Sequence, residues 1–586
     1  MKLPGAPRGT AVAVVGVAGA LIAISAVLFA LRPDYVSARA GQLDAGYLGS
    51  NDCRKCHQLQ YDTWRATFHR TMTREATPEN VLGDFHRDNA LSYLGVEAEM
   101  IREGEKFSMR LTDAQGRKQT LAIVRTVGSR RIQQYLTGDG DRLMRLPVAY
   151  DLVNRRWMHL NGSFFRADGG AYDQPVAEWN SNCVFCHNVK AQPGFDWDRK
   201  TWNTEVAELG VACGACHGPA AAHAQAATFP LTRYRWHLGD SSAPPVAVTH
   251  PAKLDSDRSA MICGHCHGQR IPEPESRIRE VLSKGDPFDA GKDLKEFYKP
   301  VQRETKVGHF SFATRFWADG SPRLTAYEYQ GMLRSKCSTS GKPGDRITCT
   351  SCHSMHDGDP RGQLTEGKKT NAACNQCHQP YAAPTALAAH TKHPVESAGS
   401  LCFNCHMPRI VYGVMAAHRT HDITIPRPVE TVEMAKPNAC NLCHADRSAN
   451  WAIAETKRLW PKAFTASQPV DARFEEPEGR RALFAEDAVV RALTAAALSP
   501  ARDWSAPWLL EAMNDRYPIV RYFAANGLAA ARPDLPKPDY LTDAPTRAGT
   551  LTKWVTQWPE SARDEARQAR ERLEAGRLEV DVEVGE

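Results

Sequence analysis

One five-residue pattern constrains this chain more than any other feature: two cysteines separated by two residues, with histidine directly after the second. It occurs eight times. The first four copies are CRKCH (Cys53, Cys56, His57), CVFCH (Cys183, Cys186, His187), CGACH (Cys213, Cys216, His217) and CGHCH (Cys263, Cys266, His267). The last four are CTSCH (Cys349, Cys352, His353), CNQCH (Cys374, Cys377, His378), CFNCH (Cys402, Cys405, His406) and CNLCH (Cys440, Cys443, His444). Chance would supply about 0.02 copies in this composition. Of the seventeen cysteines only Cys337 lies outside the pattern. A zinc site would take its ligands from paired CxxC units and would not need a histidine after every second cysteine. Disulfides within CxxC belong to redox-active sites, which do not recur eight times in one chain. Covalent haem attachment uses all three residues. The two thiols reach both vinyl groups of one haem as thioethers, and the adjacent histidine falls on the iron as proximal ligand. The pattern therefore predicts eight c-type haems attached at these sixteen cysteines, with the eight motif histidines as proximal ligands.

The spacing adds a second constraint. More than a hundred residues separate the first two motifs, whereas the last four lie between Cys349 and His444. That is too little polypeptide to build a separate core around each haem, so the macrocycles must share walls. Close packing of porphyrins is the physical condition for rapid electron hopping, and an electron-transfer role is expected from haem density alone.

Of the 21 histidines, thirteen lie outside the proximal positions. They are enough to give every iron a second imidazole, because an exposed iron position favours histidine. His69, His223, His356, His390, His393 and His421 are the leading candidates for these distal ligands. His223 follows the third motif by six residues and His356 follows the fifth by three, so each can ligate a neighbouring haem. His86, His159, His309 and His418 form a second rank, to be weighed against plain packing. His237, His250 and the in-motif His265 are read as non-ligands.

A chain of 586 residues has room for several domains. Its formal charge of +6 comes from scattered basic residues, without the clustered Lys/Arg and aromatic interleaving of a nucleic-acid binder. Eight oxidised haems at roughly −1 each take the holoprotein to about −2, so the basic excess reads as neutralisation of propionates. Near the N-terminus Lys2 and Arg8 precede an apolar run from Ala11 to Leu31, which Arg32-Pro33-Asp34 ends. That run is long enough to span a bilayer, with its positive flank on the inner side. Ala38-Arg39-Ala40 also fits a signal-cleavage site. The expectation is an anchor with the haem region on the periplasmic side, or a secreted periplasmic form if the segment is cleaved.

Between the first two motifs Phe107, Met109 and Leu111 alternate with polar residues, and a turn at Gln115-Gly116 leads into QTLAIVRTV. This predicts a small β insertion of about three to five strands. After Trp451 the composition turns to Ala, Leu, Arg and Glu, and EDAVVRALTAAAL and APWLLEAMNDRYPIVRYFAANGLAA have helical periodicity. Asp515, Pro518, Val520 and Arg521 resemble the start of the second helix of a HEAT repeat, and one or two such repeats are too few to stand alone. Cys337 is expected to be a buried, inert thiol, with a place beside the fifth haem as the alternative.

The motifs also resemble a family: multihaem c-type cytochromes related to the nitrifier tetrahaem cytochrome c and, more distantly, to octahaem hydroxylamine oxidoreductase. CRKCH followed by Trp64 and His69 is similar to the family's opening, and GVACGACHGPAAAH to its glycine-proline stretch ending in a distal histidine, here His223. The run from CTSCHSMH to NACNLCHADRSANWA resembles it most, through AHTKH, CFNCHMP and RTHDITIPRP. This resemblance implies haem-ligand or near-haem roles for His356, His390, His393 and His421. No tyrosine is placed to mimic the cross-linked catalytic haem of the oxidoreductase, and no CxxCK motif of a lysine-ligated nitrite reductase is present.

The expected fold is therefore mostly α with much irregular structure: a multihaem cytochrome c core with a small β insertion and a C-terminal α-helical HEAT-like domain. Its expected divisions are an anchor at 1–32, a linker at 33–50, an octahaem domain at 51–450 with the insertion at about 88–170, a helical domain at 451–578 and an acidic tail at 579–586. The expected activity is electron transfer to or from redox proteins such as a quinol dehydrogenase or other cytochromes, in single copies or in a homo-oligomer. The alternative is an octahaem oxidoreductase acting on a small nitrogen or sulfur compound at one open iron.

Overall fold

The computed structural model describes residues 46–87, 89–113, 115–169, 177–239, 248–324, 326–412, 414–464, 471–580 and 582. The N-terminal apolar run and the last acidic residues lie outside these. Among the described residues no helix is long and apolar enough to cross a membrane. The described residues form two compact units, a smaller one of 46–48, 219–239 and 248 and a larger one of the others. In the smaller unit the Gly46 carbonyl accepts the N–H groups of Ala220 and Ala221, each at 3.0 Å. Helices Ala221–Ala227 and Pro230–His237 follow.

The larger unit holds all eight motifs and an antiparallel sheet. Its strands are β1 (Thr73–Glu75), β2 (Ala90–Tyr93), β3 (Val96–Glu103), β4 (Lys106–Thr112), β5 (Lys118–Val127), β6 (Ile132–Asp139), β7 (Arg142–Arg145), β8 (Val148–Asp151) and β9 (Arg156–His159). Their order is β2-β3-β4-β5-β6-β8-β9, with β1 added to β5 and β7 to β6. The sheet thus has nine strands rather than the expected three to five. The alternation in β4 was readable, and Met109 faces Met100 across the pair, both fully buried. In β6 the residues from Ile132 to Thr137 are all buried, as is the whole of β8, so neither carries a period of two. The inner face closes around Phe85, Phe107, Tyr135 and Trp157. Phe85 meets Trp157 edge to face at 5.2 Å, and the Trp157 indole donates to the Asp84 carbonyl at 2.9 Å.

The turn between β2 and β3 sets Leu94 at φ 50° and Gly95 at φ 81°, the two positive values of a type I′ hairpin. Glycine takes that conformation freely, whereas for leucine it costs about 1 kcal/mol or more. Leu94 is also exposed and contributes little to the core. Leu94→Gly is expected to raise stability by about 0.5 kcal/mol after glycine's extra chain entropy is counted, read as a higher urea midpoint. An unchanged or lower midpoint would show that the strain is absent.

At the C-terminal end lie α1 (Ala449–Leu459), α2 (Ala488–Ala497), α3 (Ala506–Ala512), α4 (Pro518–Ala531), α5 (Ala544–Val555) and α6 (Glu560–Glu574). Ser448 caps α1 by accepting the Trp451 N–H, and Pro518 opens α4, where its missing N–H costs nothing. One apolar core runs from Tyr93, Ile132 and Met158 of the sheet into Leu493, Leu509, Val520 and Leu528 of the helices. Two arginines are wholly enclosed in it. Arg491 Nε donates to Asp515 Oδ2 at 2.6 Å and its Nη2 reaches Glu579 at 3.2 Å. Arg521 bonds Asp168 at 2.9 Å and the Tyr540 carbonyl at 2.8 Å. Glu579, the first residue of the acidic tail, is thereby tied to the helices, and Arg577 pairs with it at 2.6 Å.

Candidate haem sites

Each motif forms one tight helical turn. In CRKCH, CGHCH, CTSCH, CNQCH and CNLCH the histidine N–H donates to the carbonyl of the first cysteine at 2.8–2.9 Å. CGACH and CFNCH are short helices in their own right, and CVFCH continues a π-type turn into one. An i to i+4 turn places the two cysteines on one face with the histidine beside them. That is the disposition haem attachment needs. Among the described residues no disulfide joins any of the cysteines.

Five motif histidines face a second imidazole drawn from the candidate list. His69 and His267 have ring centres 6.0 Å apart, His217 and His356 6.4 Å, and His353 and His421 6.4 Å. His390 and His406 are 6.1 Å apart, as are His393 and His444. Two imidazoles bound to opposite sides of one iron have centres about 6 Å apart, so the residues present fit a bis-histidine haem. Ring orientations differ. His390 and His406 are almost parallel at 8°, the others reach 26–34°, and His69 and His267 stand nearly perpendicular at 81°.

Backbone carbonyls fix several of these rings. The Nδ1–H of His217 donates to Thr249 at 2.8 Å, that of His353 to Gly362 at 3.0 Å and that of His406 to Thr424 at 2.8 Å. On the second ligands His356 donates to Gln60 at 3.2 Å and His393 to Thr391 at 2.6 Å. Holding Nδ1–H in this way leaves Nε2 as the free lone pair that a metal takes. His69 Nδ1 lies 3.1 Å from the side-chain amide of Gln363, whose oxygen can accept in the same manner. Burial, with His267 and His353 nearby, pushes the His69 pKa down to about 4 and keeps it neutral. Trp460 donates its indole N–H to the His390 carbonyl at 2.7 Å, and Trp451 packs 5.2 Å from His444. Helix α1 thus braces the last two pairs.

The other candidates sit elsewhere. His86 is exposed, with Nε2 3.2 Å from the Arg102 guanidinium, so a cation rather than a motif histidine faces it. His309 occupies the exposed turn of a two-stranded hairpin, Lys306–Val307 with Phe310–Ser311, where no motif histidine faces it among the described residues. Neither is paired with a motif histidine among the described residues. His223 stacks on Trp236 at 5.2 Å within the smaller unit. His159 stacks on Tyr93 at 5.3 Å, and burial pushes its pKa down to about 4. His418 lies on the strand Ala416–Arg419, its pKa pushed down to about 4 by burial and by Arg130, Arg131 and Arg409. His57 and His378 are exposed. The Nδ1 of His187 is buried with no hydrogen-bond partner among the described residues. Cys337 is half-buried in the short helix Lys336–Thr339, and burial raises its pKa.

Motif cysteines also meet one another across the fold. Cys53 touches Cys213, Cys186 touches Cys266, Cys263 touches Cys349, and Cys374 touches Cys402. Cys216 neighbours Cys263, Cys352 neighbours Cys374, and Cys405 neighbours Cys440. No motif stands alone.

Eight CxxCH turns, seven of them touching another through a cysteine and five of them facing a second imidazole, define a multihaem c-type cytochrome, a protein that carries electrons. A family model described as the doubled CXXCH motif matches residues 342–383, the stretch that holds CTSCH and CNQCH. No curated protein matches the sequence. Among solved structures the chain is similar to the crystal structure of the outer cell wall cytochrome OcwA. The TM-score is 0.45 and the identity 15%, over 90% of this chain and 99% of that one. It is also similar to the Wolinella succinogenes octaheme sulfite reductase MccA, at a TM-score of 0.26 and 16% identity, over 65% of this chain and 58% of that one.

Proposed function

We propose that the chain is an exported octahaem c-type cytochrome that moves electrons between redox proteins, held on the periplasmic side of the cytoplasmic membrane by its N-terminal segment. The observation that carries this reading is the set of five imidazole pairs at 6.0–6.4 Å, each joining one motif histidine to one histidine from elsewhere in the chain. Bound haems supply one-electron carriers of low potential. The protein's part is to cap five of the irons with imidazole, which leaves no ligand position for a substrate at those five, and to hold the attachment turns against each other. The cysteine contacts join motifs one with three, two with four, four with five and six with seven, and the electrostatic proximity of three to four, five to six and seven to eight supports one run through them. The donor is expected to be a quinol dehydrogenase or another cytochrome. Self-assembly into longer conduits would appear in the size of the purified protein.

A second reading rests on His187. Among the described residues no second imidazole faces it, and the positive charge of Arg145 lies close by. An iron left open there would make the chain an oxidoreductase for a small nitrogen or sulfur compound. Low-temperature EPR of the oxidised protein, with haem counted as the pyridine haemochrome, separates the two. Low-spin signals alone, at eight haems per chain, support the carrier. A high-spin component near one haem in eight that responds to nitrite or hydroxylamine supports the enzyme. His356→Ala is expected to create such a component where the pair with His217 is broken, and a spectrum unchanged by that substitution would remove His356 from the ligand set.

A further inference from the structure

Between motifs two and four lies a buried charged cluster that haem attachment does not require. Arg270 places Nη1 3.7 Å from the sulfur of Cys186, and its Nη2 lies 2.8 Å from His265 Nε2 and 3.5 Å from Asp286 Oδ2. Nη1 also donates to the His265 carbonyl. His265 Nε2 is 2.6 Å from Asp286 Oδ2, while its Nδ1 is 3.5 Å from the sulfur of Cys266. The remaining Asp286 oxygen accepts from the Tyr298 hydroxyl at 2.9 Å and from the Phe288 N–H at 3.0 Å. The Arg270 and Asp286 side chains are only 9% and 3% exposed.

Burying an ion pair is costly, and apolar residues of similar volume usually serve stability as well or better. Stability alone therefore does not account for the cluster. Its position is telling, because Cys186 and Cys266 are the attachment residues through which motifs two and four meet. The guanidinium lies against the Cys186 sulfur, and the Asp286 oxygens are taken up by His265, Tyr298 and Phe288. Burial opposes ionisation of Asp286, but His265 and Arg270 outweigh it and hold the carboxyl well below its usual range, so the aspartate is an anion. A fixed cation in a low-dielectric setting favours whichever redox state carries the extra electron.

We propose that Arg270 is a positioning residue for electron transfer: held by Asp286 and His265 against Cys186, its charge raises the reduction potentials of the haems attached at motifs two and four, and electrons settle at this junction. The inference rests on the haem assignments above.

Potentiometric titration of the holoprotein, followed by EPR and visible absorbance, tests it. The nearly perpendicular pair at motif four, 81° against 8–34° for the others, gives that iron its own highly anisotropic low-spin signal. In Arg270→Met that signal is expected to need about tenfold more driving force for reduction, a midpoint lower by about 59 mV for one electron. Asp286→Asn should move it the opposite way, and Arg270→Lys should leave it near wild type. Opposite signs from the two neutralising changes are what a charge effect gives and a packing defect does not. A midpoint unmoved in Arg270→Met with full haem content, or a shift shared by every signal, overturns the proposal. Should Arg270→Met fail to fold, Asp286→Asn decides by the same signal, an upward shift supporting and an unmoved midpoint overturning. If the wild type lacks the anisotropic signal, the His69–His267 pairing has failed instead. Absorbance then decides for Arg270, two lowered components of the titration supporting it and none overturning it.

Discussion

Replacing Cys349 and Cys352 together by serine will disable the protein well beyond the loss of one carrier. Motif five lies at the middle of the contacts between attachment turns, where Cys349 touches Cys263 and Cys352 neighbours Cys374. Its histidine faces His421 and neighbours His267. Deleting a buried phenylalanine or tryptophan side chain costs about 3–5 kcal/mol, and a haem is larger than either, so the void left here will loosen motifs four and six as well. The haemochrome should fall by one haem in eight while electron transfer across the protein is lost. The matching double serine variant of Cys440 and Cys443, at the end of the series, should lose the same single haem and keep transfer among the remainder. Equal behaviour of the two variants would mean that motif five does not bridge the others.

Arg491→Met should destabilise the C-terminal helices by about 3–5 kcal/mol, the cost of breaking a buried ion pair from one side. The guanidinium is fully enclosed and bonds Asp515 at 2.6 Å, and Asp515 is itself nearly inaccessible. Methionine fills much of the volume but leaves the carboxylate without its cation. Glu579 keeps Arg577 but loses its fully buried partner in the same step, which loosens the end of the chain. Urea unfolding followed by far-UV circular dichroism will show an early transition in the variant, and limited proteolysis will cut after α6 first. The double change Arg491→Met with Asp515→Leu should recover most of the loss, since removing both charges spares the orphaned anion. A single variant as stable as wild type would show that water already reaches this pair.

The attachment turns were legible because their chemistry demands a contiguous pattern, which sequence displays directly. Of the six leading candidates, His69, His356, His390, His393 and His421 face a motif histidine, whereas His223 stacks on Trp236. Their pairing was not legible, because His217 meets His356 and His69 meets His267 through contacts between distant segments. His86 and His309 were drawn in by residue type alone, and only the structure shows one beside Arg102 and the other in an exposed turn. The sheet was underestimated because strands buried on both faces, such as β6 and β8, lose the alternation that marks a strand. The junction cluster escaped for a similar reason: His265 reads as a spacer inside CGHCH until Asp286 and Tyr298 are folded beside it.

The crossing of imidazoles between segments has a consequence for biogenesis. A chain presents its motifs in order as it is made, yet the ring that His217 faces comes more than a hundred residues later, at His356. His267, His406 and His444 instead meet rings that emerged before them. If these pairs hold the haems as proposed, maturation would be staggered: some sites would close as soon as they appear, while the third would wait until His356 follows the fifth motif. Such long-range closure is slow, and chaperoning of the nascent cytochrome is most needed in the interval between those two motifs.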